Sequence, residues 1–218
     1  MIDLHTHSLL SDGILLPTEM AIRAEKIGYQ AIAITDHIDS SNITFIIPRI
    51  IEVCNDLNAV LDIQVIPGVE LTHVPPKIIP RLVRQARDLG IRLIIVHGET
   101  IVEPVAPGTN YTSLNCDIDI LAHPGLITIE DARLAFENDI FLEITSRSGH
   151  CLTNGHVVNM AKKVGAKLIL NTDAHSMDDL IDCSMAKKIM LGAGLEEHDF
   201  TSLLANSKSL IERVNRRC

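Results

Sequence analysis

Short runs rich in Ile, Val and Leu recur along the chain, at 2–4, 31–35, 63–69, 91–96, 118–122, 140–144 and 167–170. None alternates cleanly with polar residues. A strand reads this way when both its faces are covered, as in a parallel sheet whose crossover helices lie across it. Stretches of helical period separate the runs, at 17–27, 42–61, 75–89, 129–138, 154–164 and 177–191, with one more at 196–207. Gly28, Gly90 and Gly165 stand where helices would end, and Pro17 and Pro75 suit first turns. Seven strand-then-helix units without a break in composition predict one α/β domain over 1–218, closing as a barrel. An open doubly wound sheet is the structural alternative. One connection, 98–115, is long, and Pro104 and Pro107 prevent a simple continuous helix there.

Six of these seven runs finish on a histidine or a carboxylate. His5-Thr6-His7 follows the first and leads to Ser11-Asp12-Gly13. Thr35-Asp36-His37 closes the second, Gly68-Val69-Glu70 the third, His97 the fourth, His123 the fifth and Asn171-Thr172-Asp173-Ala174-His175 the seventh. In a parallel barrel the C-terminal strand ends meet on one face, where such folds build their active sites. The rim so formed holds His5, His7, Asp12, His37, Glu70, His97, His123, Asp173 and His175. That is more than one acid and one base require, and imidazoles crowded among carboxylates desolvate one another unless cations lie between them. The mixture suits Zn²⁺, Mn²⁺ or Fe²⁺, and several ions rather than one. His5 and His7, two apart on an extended strand, point the same way and can share an ion. A single strand-end histidine is ordinarily a turn or core residue. The joint placement favours metal, because only His73, His150, His156 and His198 of the ten histidines fall off the pattern.

The formal charge of −9 argues against sequence-independent binding to duplex nucleic acid, which needs clustered basic surface. It leaves a phosphate ester open as substrate, since bound divalent ions add positive charge that the count omits. Aromatic residues at 3% leave little to stack single-stranded bases. Cys54, Cys116, Cys151, Cys183 and Cys218 are odd in number and form no C-x-x-C pair, so a reduced, cytoplasmic chain is expected. No apolar run approaches the roughly 18 residues of a spanning helix, and no basic leader precedes His5, so neither a membrane span nor a cleaved signal is expected.

The motifs together resemble those of the PHP family, named for polymerase and histidinol phosphatase. His5-Thr6-His7, Ser11-Asp12-Gly13, Thr35-Asp36-His37, Pro67-Gly68-Val69-Glu70, His97-Gly98, Ala122-His123-Pro124 and Thr172-Asp173-Ala174-His175 occur in that family's order. The resemblance implies a distorted (β/α)7 TIM-like barrel, two to three divalent ions and hydrolysis of phosphate esters. It groups the ligands as His5, His7, Glu70 and Asp173; Glu70, His97 and His123, with Glu70 bridging; and Asp12, His37 and His175. Two ions so bridged, about 3.5–4 Å apart, would hold a hydroxide that attacks phosphorus in line. Glu70 and Asp173 are then catalytic as well as ligating. The sixth run, which leads into Glu143-Ile144-Thr145-Ser146-Arg147-Ser148-Gly149-His150, resembles a substrate-facing segment. Arg147 either clamps a phosphate with its fork or pairs with a surface carboxylate. His150 is a candidate substrate contact or leaving-group acid, and Glu143 an orienter of a ligand.

The expected activity is hydrolysis of a small phosphorylated metabolite, a phosphomonoester, with histidinol phosphate as one candidate. A nuclease or nucleotide phosphodiesterase of the same family is the second enzyme reading. A non-catalytic metal-binding module is the third, and retention of every donor weighs against it. His73 is expected in a turn before Pro75-Pro76, Arg81, Arg84 and Arg87 on a solvated helix face, and Arg213, Arg216 and Arg217 in a basic cluster that is at most a weak contact point.

Overall fold

The structure, a computed structural model, describes residues 1–217; Cys218 lies outside the described residues. The strands are β1 (Ile2–Asp3), β2 (Ala31–Ile34), β3 (His37–Ile38), β4 (Gln64–Leu71), β5 (Leu93–His97), β6 (Ile120–Ala122), β7 (Phe141–Thr145) and β8 (Leu168–Asn171). The helices are α1 (Pro17–Ile27), α2 (Ile43–Asn58), α3 (Ile79–Asp88), α4 (Thr109–Leu114), α5 (Ile129–Glu137), α6 (Asn154–Val164), α7 (Cys183–Gly192) and α8 (Asp199–Asn215). All pairings are parallel in the order β1-β2-β4-β5-β6-β7-β8, with β3 also on β4. Ile34 lies opposite Pro67 and His37 opposite Glu70, the same offset, so β2 and β3 are one strand interrupted at Thr35-Asp36. The β8–β1 seam is thin: Thr6 bridges Ala174, and the His7 and Asp173 amides donate across it to Ala174 O and His5 O at 2.8 and 2.9 Å. The result is a nearly closed, distorted seven-stranded barrel, as the strand–helix rhythm predicts, and not an open sheet.

The lack of polar alternation has its reason in the two cores. Ile32, Ile94, Leu121, Leu142 and Leu170 pack outward under the helices. Ala31, Ala33, Ile66, Leu93, Ile95, Ile120, Phe141 and Ile169 fill the lumen. Leu210, Ile211 and Val214 of α8 join that lumen cluster, so the last helix, expected at 196–207, runs on to Asn215.

Other boundaries differ for local reasons. Pro80, not Pro75, occupies the first turn of α3. The helix expected at 177–191 is a short 3₁₀ turn, Met177–Asp179, followed by α7, which Asp182 restarts by accepting from the Met185 amide at 2.8 Å. The long connection contains α4. Arg87, expected on a solvated face, and Arg213 and Arg217, expected in a cluster of at most weak contact, instead converge on one residue: buried Asp119 accepts from Arg87 at 2.9 Å, Arg217 at 2.8 Å and Arg213 at 3.2 Å. This clamp ties α3, α8 and Arg217 just beyond it to the start of β6. No helix among the described residues is long and apolar enough to cross a membrane.

Candidate metal centre

Strand parity delivers the site. Counting by twos from the lumen residues Ile66, Ile95, Phe141 and Ile169 reaches Glu70, His97, Glu143 and Asn171, so these side chains continue the inward row at the C-terminal mouth. All are buried. His123 lies one residue out of that parity and has a left-handed backbone, φ 26°. Asp173, φ 55°, and His73, φ 53°, share that unfavourable conformation, which persists where surrounding structure over-determines it. Asp36 fixes the loop after β1 by accepting from Ser8 N, Ser8 Oγ and Ser11 Oγ at 2.8, 2.7 and 2.6 Å, which sets Asp12 over the mouth.

The nine strand-end residues do converge. His5 Nε2 and His7 Nε2 lie 3.4 and 3.7 Å from the two oxygens of Glu70, and 3.8 and 3.1 Å from Asp173 Oδ1. His123 Nε2 is 3.7 Å from both Glu70 Oε1 and Asp173 Oδ2. Asp12 Oδ1 is 3.2 Å from His37 Nε2 and from His175 Nε2. The donor atoms gather as His5, His7 and Glu70; as His5, His123 and Asp173; and as Asp12, His37 and His175. His7 also joins Asp12, His37 and His175, and His37 Nδ1 reaches Glu70 Oε2 at 2.7 Å. His97 gathers with His123 and His150, and with His73 and Glu103, and its Nε2 is taken up by Glu103 at 2.9 Å.

Whether these side chains fit divalent ions is tested by their hydrogen bonds. His5 Nδ1 faces Glu143 Oε1 at 2.9 Å, His97 Nδ1 the Gly98 carbonyl at 3.0 Å and His175 Nδ1 the Asp173 carbonyl at 2.9 Å. Each oxygen only accepts, so Nδ1 carries the proton and Nε2 presents a lone pair to the cluster, the arrangement of a histidine ligand backed by an outer acceptor. Buried side-chain atoms without a hydrogen-bond partner concentrate here: His5 Nε2, His7 Nδ1 and Nε2, Glu70 Oε1 and His123 Nδ1. Such groups are costly to bury alone, and a cation satisfies them. The donor set fits.

Without ions the charges are in conflict. Burial, with His37 and His5 beside it, holds His7 well below the ordinary imidazole range, and burial with His97 does the same to His123. Burial also disfavours the charged form of His37, yet Glu70 and Asp12 outweigh it and raise its pKa to about 10. Burial, reinforced by Glu70 and Glu143 against the pull of His5, lifts Asp173 to about 7.

The segment after β7 divides. Arg147 lines the mouth, and its Nη1 is also 3.4 Å from Asp179 Oδ2. His150 stacks on His123, centroids 4.2 Å apart, its Nδ1 2.8 Å from Thr100 Oγ1. Burial chiefly lowers its pKa, which suits a donor atom better than an acid. Glu143 binds His5, Asn171 and the His123 amide, the orienting role expected of it. Sequence reasoning missed Glu103 altogether and left His73 in a turn. Neither belongs to a strand-end motif, and only the path of the loop after β5 brings them together. The mouth encloses about 190 Å³. A larger hollow against α1, about 750 Å³, is lined by Leu16, Ile22, Ile27 and Met177 and has no comparable donor set.

The PHP domain matches residues 3–184. An uncharacterized protein of Methanocaldococcus jannaschii is 50% identical over 215 residues, covering 97% of this chain and 99% of that protein. The DNA polymerase/3′-5′ exonuclease PolX of Bacillus subtilis is 27% identical over 199 residues, 83% of this chain and 35% of PolX. The chain belongs to the PHP domain family. Two solved structures share the fold at low identity. A chain of archaeal ribonuclease P with mature tRNA gives a TM-score of 0.73 at 16% identity, covering 100% of this chain and 91% of that one. A candidate histidinol phosphatase of Listeria monocytogenes gives 0.62 at 12%, covering 83% and 97%.

Proposed function

We propose that the chain hydrolyses a small phosphomonoester at this centre, with His5, His7, Asp12, His37, Glu70, His97, His123, Asp173 and His175 as the ligands of two to three divalent ions, in a cytoplasmic setting. The observation that carries the reading is a mouth of about 190 Å³ lined by seven of these nine donors, all but His5 and His7, together with Arg147. That volume is below the roughly 300–1,000 Å³ of drug-sized sites and suits a phosphate with a short alcohol. Bound ions supply Lewis acidity toward phosphoryl oxygens and a water of lowered pKa. The chain's own residues do the rest. Asp173 and Glu70 hold their carboxylates toward the reacting position, and Glu143 and Asn171 fix their neighbours. Arg147 offers a charged donor to a phosphate oxygen when it exchanges Asp179 for substrate.

PolX, an exonuclease and polymerase by name, gives some support to a phosphodiester substrate as the second reading. The charge of −9 weighs against it. The deciding experiment measures phosphate release from L-histidinol phosphate, nucleotides and sugar phosphates with Mn²⁺, repeated with chelator and with Glu70→Ala. The expected result is release that chelation abolishes, and a variant that loses bound metal and turnover together. Full activity of Glu70→Ala would refute the assignment. Turnover confined to diesters would favour the second reading.

A further inference from the structure

The connection between β5 and α4 is a strap pinned at both ends. At its root Gly98 passes so close to β6 that a Cβ there would stand 2.3 Å from Ala122 O. Gly125, φ 64°, lies against the same root, where a Cβ would meet Glu99 O at 1.8 Å. At the far end the Glu99 carboxylate accepts from the Gly108 and Asn110 amides at 3.0 and 2.9 Å. Between these anchors the strap is largely exposed, and Glu103 turns back into the mouth. Its Oε2 lies 2.9 Å from His97 Nε2 and 3.2 Å from His73 Nε2, and its Oε1 3.6 Å from His150 Nε2.

His97 decides what this contact means. Its Nδ1 proton goes to the Gly98 carbonyl, so Nε2 of the neutral ring is a lone pair aimed at a carboxylate oxygen. Those two repel unless a cation, a metal ion or a proton, stands with them. Donors about 2.0–2.1 Å from one tetrahedral ion lie about 3.3 Å from each other. The separations of 2.9 and 3.2 Å are close to that spacing. His73 is positioned for it by a left-handed backbone, and its ring centroid is 4.9 Å from that of His97.

We propose that Glu103 is a metal ligand, acting with His73 and the strand-end His97 in a cation site carried by the strap, with Glu103 and His73 additional to the nine strand-end donors. This rests on the metal-centre reading above. Unlike the strand-end donors, Glu103 comes from a surface loop, so this site is the one a change of strap sequence would tune.

The test titrates the full chain, wild type and the variants Glu103→Gln, His73→Asn and Glu70→Ala, with Co²⁺, following visible absorption and bound-metal stoichiometry by equilibrium dialysis. Asn tolerates the left-handed conformation at position 73, and both side chains are partly exposed, so folding is checked by urea unfolding and expected to be unchanged. Glu103→Gln and His73→Asn are each expected to weaken one Co²⁺ at least about tenfold and to alter its absorption band, leaving the others as in wild type. Unchanged affinities and spectra in both, while Glu70→Ala loses metal, would overturn the proposal and leave the centre standing, with Glu103 merely bonded to a protonated His97. Tighter binding in Glu103→Gln would overturn it too, by making Glu103 a competitor. No Co²⁺ on the wild type would bring down the metal-centre reading and this proposal with it.

Discussion

Glu143 is the residue whose replacement tests the metal centre most sharply without touching a ligand. It is fully buried, and its two oxygens serve three donors: Oε1 accepts from His5 Nδ1 at 2.9 Å and Asn171 Nδ2 at 2.8 Å, and Oε2 from the His123 amide at 3.2 Å. Glutamine keeps the shape and one acceptor. Its best orientation keeps the two bonds at Oε1 and turns an NH₂ toward the His123 N–H, so one buried donor is orphaned. That costs about 1–3 kcal/mol of stability in the metal-free chain. Losing the carboxylate behind His5 also lowers the basicity of its Nε2 and loosens its ring. Outer partners of this kind are worth about 10–100-fold in metal affinity. Glu143→Gln is therefore expected to show weaker Zn²⁺ binding in competition with a chelating dye, by that factor. Its urea midpoint without metal should fall by the equivalent of about 1–3 kcal/mol. Affinity within about twofold of wild type, together with an unshifted midpoint, would refute the claim that Glu143 fixes His5 for a metal.

Three further outcomes follow. Asp119→Ala leaves Arg87, Arg213 and Arg217 facing an empty position; the arginines keep some water contact, so the expected loss is about 2–4 kcal/mol, less than for a fully buried pair, read from urea unfolding. The metal-free chain should lose stability as pH rises from about 6.5 to 10; below 6.5 the depressed His7 and His123, protonated only in the unfolded chain, oppose the effect of Asp173. Asp173, raised from 3.8 to about 7, binds its proton more tightly when folded, and that advantage disappears as pH climbs through 7. His37, raised from 6.5 to about 10, contributes stability present below 6.5 and lost through 10. Metal affinity should run the other way, with protons released on binding at pH 6, measured calorimetrically in buffers of different ionisation enthalpy; a stability rising over that pH range would contradict the assignment. Cys54 is buried, which pushes its thiol up to about 12, whereas Cys183 is exposed. A thiol reagent at pH 8 should label Cys183 in the folded protein and reach Cys54 only after unfolding; labelling of native Cys54 would show that the α2 packing opens.

The amino-acid sequence by itself determined the barrel and the rim. Apolar runs without polar alternation require strands covered on both faces, and parallel order then carries every C-terminal end to one mouth. Placing His5, Glu70, His97, His123 and Asp173 at those ends was enough to bring them to one mouth; strand parity, a local property, turns Glu70 and His97 inward, whereas His123 arrives out of that parity on a left-handed backbone. The tertiary structure alone decided how the donors share partners. His7 falls between two groups, and His37 reaches Glu70 as well as Asp12, because imidazoles from neighbouring strands are held within bonding range by β-sheet spacing and the curvature of the barrel. The closure at Thr6 and Ala174, the bottom clamp of Asp119 with Arg87, Arg213 and Arg217, and the approach of Glu103 to His73 and His97 were equally illegible. Most of these join segments far apart in the chain, and all are set by loop paths and helix docking, which leave no periodic mark on the residues involved.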